Sequence, residues 1–213
     1  MSGRRTLTIG ADWFETLYSA DPDPWRFHDS PYEQAKYDHT LSALPQARYA
    51  SALEVGCSVG VLTRRLAERC AALLAVDAAP SAVDRARQVN RDLAHVRVER
   101  RVLPGDAPCG RFDLIVLSEV LYYFDAADLQ RVCVWVGRRA LPDADIVLVH
   151  WTGATDYPLS GDDATLRFIE GLAGSVAVTR QERRPAYRLD VLRRAGAADG
   201  APDRSPGEDR RPG

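Results

Sequence analysis

The sequence predicts an α/β fold: a mostly parallel sheet wrapped by helices on both faces and closed by an antiparallel hairpin. Three observations lead there. Short apolar runs alternate with segments of helical spacing. Two of the runs, Ala71–Val76 and Phe112–Leu117, are too uniformly apolar for a sheet with one wet face. The last two runs, Val176–Glu182 and Tyr187–Leu192, alternate in hydropathy around Arg184–Pro185, as a hairpin does.

Each element has a local reason. Trp13, Phe14, Leu17 and Tyr18 fall on one helical face, and a loop with Pro22, Pro24 and Pro31 follows. Tyr32–Leu44 reads as a helix, with Ser30 as N-cap, Pro31 in the first position and Pro45 as the stop. Ala50–Val55 is a short strand, and Val61, Leu62, Leu66 and Ala67 give the next helix. After Ala71–Val76, Pro80 starts a helix that runs to Leu93. Val96–Val102 alternates as a strand before Phe112–Leu117. Ala126–Leu141 is a helix bounded by Pro142, Ile146–Trp151 a strand, and Ala164–Leu172 a helix. This divides the chain into an N-terminal helical lid segment (1–45), a core (46–195) and a polar tail (196–213). The tail has no Leu, Ile, Val or aromatic residue and is expected to be disordered, with residues 1 to about 9 fraying.

Composition narrows the function. The 213 residues carry a formal net charge of −2, which disfavours a general nucleic-acid binder. The hairpin region Arg180–Arg194 has six Arg against one Glu and one Asp; it reads as a solvated edge pair, with steering of an acidic acceptor or RNA as the other reading. The first ten residues lack the apolar stretch of a secretory signal, and no run is long enough to span a membrane, so the expectation is a cytoplasmic protein without a membrane partner. Cys57, Cys70, Cys109 and Cys133 show no C-x-x-C spacing, so buried free thiols and no metal site are expected. Among 28 basic residues only Lys36 is lysine.

Leu53-Glu54-Val55-Gly56-Cys57-Ser58-Val59-Gly60 sits between a buried strand and a helix, where glycines let the chain turn and a ligand approach the backbone. Asp77 follows Gly56 by 21 residues, at the end of the next strand, where a carboxylate can accept both hydroxyls of a ribose. A nicotinamide site fits poorly: Ser58 replaces the middle glycine, and Glu54 repels a pyrophosphate. A nucleophile elbow at Gly56–Gly60, with Asp77 or Asp113 and His150, lacks an oxyanion motif and the expected strand context. An E-x-G-x-x-x-G turn beneath a phosphate-free sulfonium cofactor fits without adjustment. Ligands of open α/β sheets bind at the carboxyl ends of the strands, which gathers Gly56, Asp77, Glu119 and His150 at one edge.

Glu54-Val-Gly56-Cys-Ser-Val-Gly60, Asp77 and Phe112-Asp-Leu-Ile-Val-Leu-Ser118-Glu119-Val-Leu-Tyr122-Tyr123 resemble class I S-adenosyl-L-methionine (SAM)-dependent methyltransferases. Asp23-Pro24-Trp25, Ser30-Pro31-Tyr32-Glu33-x-x-Lys36-Tyr37, His150-Trp151 and Asp156-Tyr-Pro-Leu-x-Gly161-Asp162 narrow the resemblance to the nodulation protein S (NodS) family. It implies a Rossmann-like, seven-stranded sheet, SAM as methyl donor and an amine acceptor; the namesake family methylates the free amino group of a deacetylated chitooligosaccharide. That pattern carries a His shortly after Gly161-Asp162, where Asp163, Ala164 and Thr165 stand here, so the acceptor is left as a small molecule or saccharide. O-methylation on the same scaffold and a non-catalytic partner subunit are the alternatives, and the state is monomer or homodimer. The resemblance implies that Glu54, Gly56, Ser58, Gly60 and Ser118 form the floor of the cofactor site. Asp77 and Ala78 would then meet the ribose and Val102 and Leu103 the adenine, with Trp25 and Tyr32 in a closing lid. Lys36 could meet the cofactor's methionine carboxylate. Glu119, His150 and Tyr122 are the catalytic candidates: the first two as proton acceptors or acceptor contacts, the third as a pocket wall or an aromatic face toward the sulfonium.

Overall fold

The computed structural model describes residues 3–196. The disorder expected of the tail concerns, past residue 196, positions outside the described residues. The elements are α1 (Ala11–Ala20), α2 (Pro31–Ser42), β1 (Ala52–Val55), α3 (Val61–Ala67), β2 (Leu73–Asp77), α4 (Pro80–Val89), β3 (Val96–Arg100), β4 (Phe112–Ser118), α5 (Ala126–Arg139), β5 (Ala140–Trp151), α6 (Gly161–Gly171), β6 (Val176–Arg183) and β7 (Tyr187–Arg194). One seven-stranded sheet runs in the order β3-β2-β1-β4-β5-β7-β6. β1 to β5 are parallel, and β7 enters antiparallel between β5 and β6.

The uniformly apolar strands are central ones, covered on both faces. Leu114 and Val116 of β4 pack with Tyr37, Leu62 and Leu66 from α2 and α3. Their neighbours Ile115 and Leu117 pack with Leu129, Val132 and Phe168 from α5 and α6. The period of two in a strand sends successive side chains to opposite faces, and here both faces are dry.

Helix starts follow the capping chemistry. The Ser30 hydroxyl accepts from the Glu33 N–H at 3.4 Å, with Pro31 opening α2. Asp125 caps α5 by accepting from the N–H groups of Ala127 and Asp128, both at 2.9 Å.

The differences from expectation are local. α5 stops at Arg139 and the chain passes straight into β5, whose pairing with β4 shifts register between Phe112 and Leu114. α4 ends at Val89 and β3 at Arg100, both earlier than expected. A short 3-10 turn, Leu121–Tyr123, follows β4 and was not anticipated. Within the described residues the N-terminus does not fray. Arg5 N–H donates to the Asp156 carbonyl at 2.8 Å, Ile9 N–H donates to that of Tyr123 at 2.9 Å, and Ile9 is buried. Backbone pairing with two distant loops replaces the missing sequence signal for order. Cys57, Cys70 and Cys133 are buried free thiols, but Cys109 is exposed, because it sits in the loop before β4.

Candidate functional site

A cavity of about 380 Å³ opens at the carboxyl edge of β1, β2 and β4 and is roofed by α1, α2 and the loop between them. That size suits a small organic ligand. Two groups of residues build it.

The first surrounds the β1–α3 turn. Gly56, Ser58 and Gly60 all have left-handed φ angles, of 76°, 50° and 82°. A Cβ on Gly56 would stand 3.4 Å from Cβ of Val120, another residue of the wall. The turn is braced from above, since the Tyr18 hydroxyl of α1 donates to Ser58 Oγ at 2.5 Å. Asp77 ends β2 and accepts from the Ser58 N–H (Oδ2, 2.9 Å) and the Ala79 N–H (Oδ1, 3.0 Å). Burial pushes its pKa up, against those backbone bonds. Each oxygen keeps a second lone pair for a ligand hydroxyl. Glu54, at the base of the turn, is buried, accepts from Thr63 Oγ1 at 2.6 Å, and has its pKa pushed by burial up to about 8. At neutral pH it therefore carries a proton.

The second group gathers side chains from distant segments. Glu119 follows β4 in a left-handed conformation, φ 57°. Its Oε1 accepts from Lys36 Nζ at 2.7 Å; its Oε2 accepts from the Tyr122 hydroxyl at 2.6 Å and the Trp151 N–H at 2.8 Å. Burial works against its charge, but Lys36 and these donors win and its pKa falls below the usual value. Lys36 is 3% exposed and stands between Glu119 and Glu33, whose Oε1 and Oε2 lie 3.1 and 3.0 Å from Nζ. The Tyr32 ring faces the same ammonium at 5.2 Å. Burial would lower the Lys36 pKa, yet the two carboxylates raise it to about 12. Tyr122 stacks on Tyr157 at 5.3 Å, and Tyr123 packs edge-on against Phe14 at 4.8 Å, closing an aromatic wall.

Thirteen of the fifteen residues singled out in the sequence line this cavity: Trp25, Tyr32, Lys36, Glu54, Gly56, Ser58, Asp77, Ala78, Val102, Leu103, Ser118, Glu119 and Tyr122. Two do not, and one of the thirteen stands differently from expectation. His150 is fully buried behind the wall, where its Nε2 accepts from the Leu121 N–H at 3.1 Å. Burial lowers its pKa to about 4, so it is a neutral imidazole holding the 3-10 turn rather than a base at the cavity. Gly60 points away: a Cβ there would meet Asn90 Nδ2 at 2.6 Å and Ala86 Cα at 2.8 Å, so it serves the packing of the turn on α4. Lys36 is at the cavity, but two carboxylates take up its ammonium, so it does not stand free to receive one from a ligand. Residues not foreseen include Glu33, Tyr18, Phe14 and Tyr157. Glu33 had a readable signal in its place one turn before Lys36 on the same helix, and Tyr157 in the Asp156-Tyr-Pro-Leu-x-Gly161-Asp162 motif.

The carboxylate and basic side chains of the wall are Glu33, Lys36, Glu54, Asp77, Arg101 and Glu119. Arg101 is engaged by Glu99 at 2.8 Å and Asp106 at 2.9 Å, and Lys36 by its two acids. The remaining field favours a cationic ligand over a pyrophosphate. Among the described residues no group of three or more His, Cys, Asp or Glu could hold a metal ion. Among them, too, no helix is long and apolar enough to cross a membrane.

The sheet order, the glycine turn after β1 and the acid ending β2 define the class I SAM-dependent methyltransferase fold. Solved structures share it. The N-methyltransferase NodS of Bradyrhizobium japonicum in complex with S-adenosyl-L-homocysteine (SAH) matches 87% of this chain and 99% of its own, with a TM-score of 0.77 and 23% identity. A candidate methyltransferase from Pseudomonas syringae matches 76% of this chain and 99% of its own, with a TM-score of 0.68 and 37% identity. The nodulation protein S of Rhizobium tropici is 35% identical over 130 residues, which is 60% of this chain and 55% of that protein. The chain thus spans about half the length of the curated relatives it matches. The family model for nodulation protein S (NodS) matches residues 14–136, and the chain belongs to that family.

Proposed function

We propose that this protein is a SAM-dependent methyltransferase that transfers a methyl group to an amine nitrogen of a small molecule or saccharide. One observation carries the reading. A turn of left-handed residues and a buried carboxylate, Asp77, meet at the rim of a small acidic cavity on the carboxyl edge of a class I methyltransferase sheet. The residues present fit the cofactor. Asp77 retains acceptor capacity for a ribose, Gly56 of the turn lines the cavity, and the protonated Glu54 adds no charge beneath it. Asp77 and Ala78 would hold the ribose, Val102 and Leu103 the base, and Gly56, Ser58 and Ser118 the amino-acid end. When bound, SAM would supply an electrophilic methyl group on a sulfonium sulfur for an acceptor lone pair to take up.

The chain's own contribution is positioning, charge and exclusion of water. Trp25 and Tyr32, with Phe14 and Tyr18 of α1, roof the cavity. The fixed Glu119 carboxylate places negative charge at the wall, and the stacked rings of Tyr122 and Tyr157 line it, both favourable to a cation. The acid-rich wall supports an amine over a hydroxyl acceptor. The arginines of the hairpin are largely paired, as Arg188 is with Asp190 and Asp162 at 2.8 Å, which supports a protein that does not act on nucleic acid. We place it in the cytoplasm, as a monomer or homodimer without a membrane partner. A melting series with SAH and NAD tests the cofactor: SAH at 100 times its dissociation constant adds about 2.7 kcal/mol of stability. A shift with NAD and none with SAH overturns the proposal.

A further inference from the structure

We infer that Glu33 is the proton acceptor of the site, taking a proton from an acceptor that enters as an ammonium. The inference rests on the methyltransferase reading and assigns a residue within it. Three ionisable side chains near the aromatic wall could serve, and the geometry separates them. His150 lies behind the wall, and its Nε2 lone pair is already used by the Leu121 N–H. Glu119 receives three donors, from Lys36, Tyr122 and the Trp151 backbone, and these hold it as a fixed anion. Glu33 lines the same cavity and has a single partner, the Lys36 ammonium: its Oε1 accepts from Nζ at 3.1 Å, and its buried Oε2 stands 3.0 Å from the same Nζ and is met by no other donor.

The charged groups acting on Glu33 are Lys36 on its own helix, Glu119 at the end of β4 and Asp23 from the preceding loop. Burial, the largest influence, raises the Glu33 pKa above the ordinary 4.5, and Lys36 only partly offsets it. Glu119, beside the same lysine, is shifted the other way. Two carboxylates whose environments push their pKa values apart divide the work between a fixed charge and a proton carrier. In the step, an N–H bond of the acceptor ammonium breaks and its electron pair stays on nitrogen. The proton forms a new O–H bond on Glu33. A neutral amine and a neutral carboxyl replace the ion pair, and Glu33 later returns the proton to solvent. No other reactant is needed.

The test measures transfer of labelled methyl from SAM to benzylamine, glucosamine and putrescine, with benzyl alcohol and glucose as hydroxyl counterparts. Wild type should methylate at least one amine and neither alcohol-only probe. Glu33→Gln should lower kcat about 100-fold and abolish the acid limb of its pH profile. SAH affinity, measured by titration calorimetry, should stay within about threefold, which certifies the variant's fold and the cofactor site. Glu33→Asp should recover about tenfold in kcat. The inference is overturned if Glu33→Gln keeps the wild-type kcat and acid limb, if the alcohols are methylated in place of the amines, or if no amine is methylated by a wild type that binds SAH. A wild type that binds no SAH overturns the methyltransferase reading itself.

Discussion

The two halves of the cavity are built in different ways. The Gly56–Asp77 half is made within 24 residues, Glu54 to Asp77, by one βαβ unit whose turn and strand end fall together through local geometry. The Glu33–Lys36–Glu119 half joins α2 to the end of β4 across 83 positions of sequence and is completed by Tyr122 and Trp151. The first half is backbone shape with one acid; the second is a buried charge network on side chains. A ligand that needs close backbone approach suits the first. A reaction that must hold one charge and move another suits the second.

The largest expected effect breaks the second half. Lys36→Met leaves two buried carboxylates facing one another and should cost about 3–5 kcal/mol of stability in urea melts. A loss below about 1 kcal/mol would mean that the pair does not fasten α2 to the sheet.

Glu54 belongs to the first half, and its effect depends on pH. Its folded pKa, about 8, lies above the ordinary 4.5. The stability it contributes is full below pH 4.5 and is lost as pH rises through 8. Glu54→Gln does not titrate, so relative to wild type it should gain on the order of 3 kcal/mol between pH 5 and pH 9 in denaturant melts. Parallel pH curves for the two proteins would show that Glu54 ionises normally in the fold.

The two glycines of the turn give the smallest and most discriminating pair. Gly60→Ala forces a methyl against the backbone of Ala86 and should cost about 2–3 kcal/mol of stability with little change in SAH affinity. Gly56→Ala makes only ordinary contacts, with Val120 at 3.4 Å and the Ser118 carbonyl at 3.8 Å, so beyond its left-handed φ it should cost about 1 kcal/mol of stability yet weaken SAH about tenfold. The opposite ranking would place the ligand on the α4 side of the turn.

The same division governs what could be read from the sequence. All seven strands were legible, the central ones because uniformly apolar runs reflect burial directly. The hairpin differs from the expected solvated edge pair, since of its two strands only β6 is an edge while β7 lies between β5 and β6, buried from Tyr187 to Leu192 with Arg188 paired to Asp190. The glycine turn and Asp77 were legible because their spacing is local. The roles of Lys36 and His150 were not. Lys36 stood out by rarity, but its partners depend on how α2 docks, and Glu119 is far away in sequence. His150 ends its strand at the ligand edge, yet the 3-10 turn after β4, for which the sequence carries no cue, folds over it and takes its lone pair. The order of residues 5 to 9 was missed for a related reason: backbone hydrogen bonds to Asp156 and Tyr123 leave no mark in side-chain pattern.

The central claim is that Asp77 holds the ribose of a SAM-type cofactor in this cavity. Titration calorimetry of SAH into wild type and Asp77→Ala tests it directly. Loss of charge-assisted hydrogen bonds to two hydroxyls should raise the dissociation constant about 100-fold or more. An affinity for SAH that is unchanged in Asp77→Ala would contradict the claim.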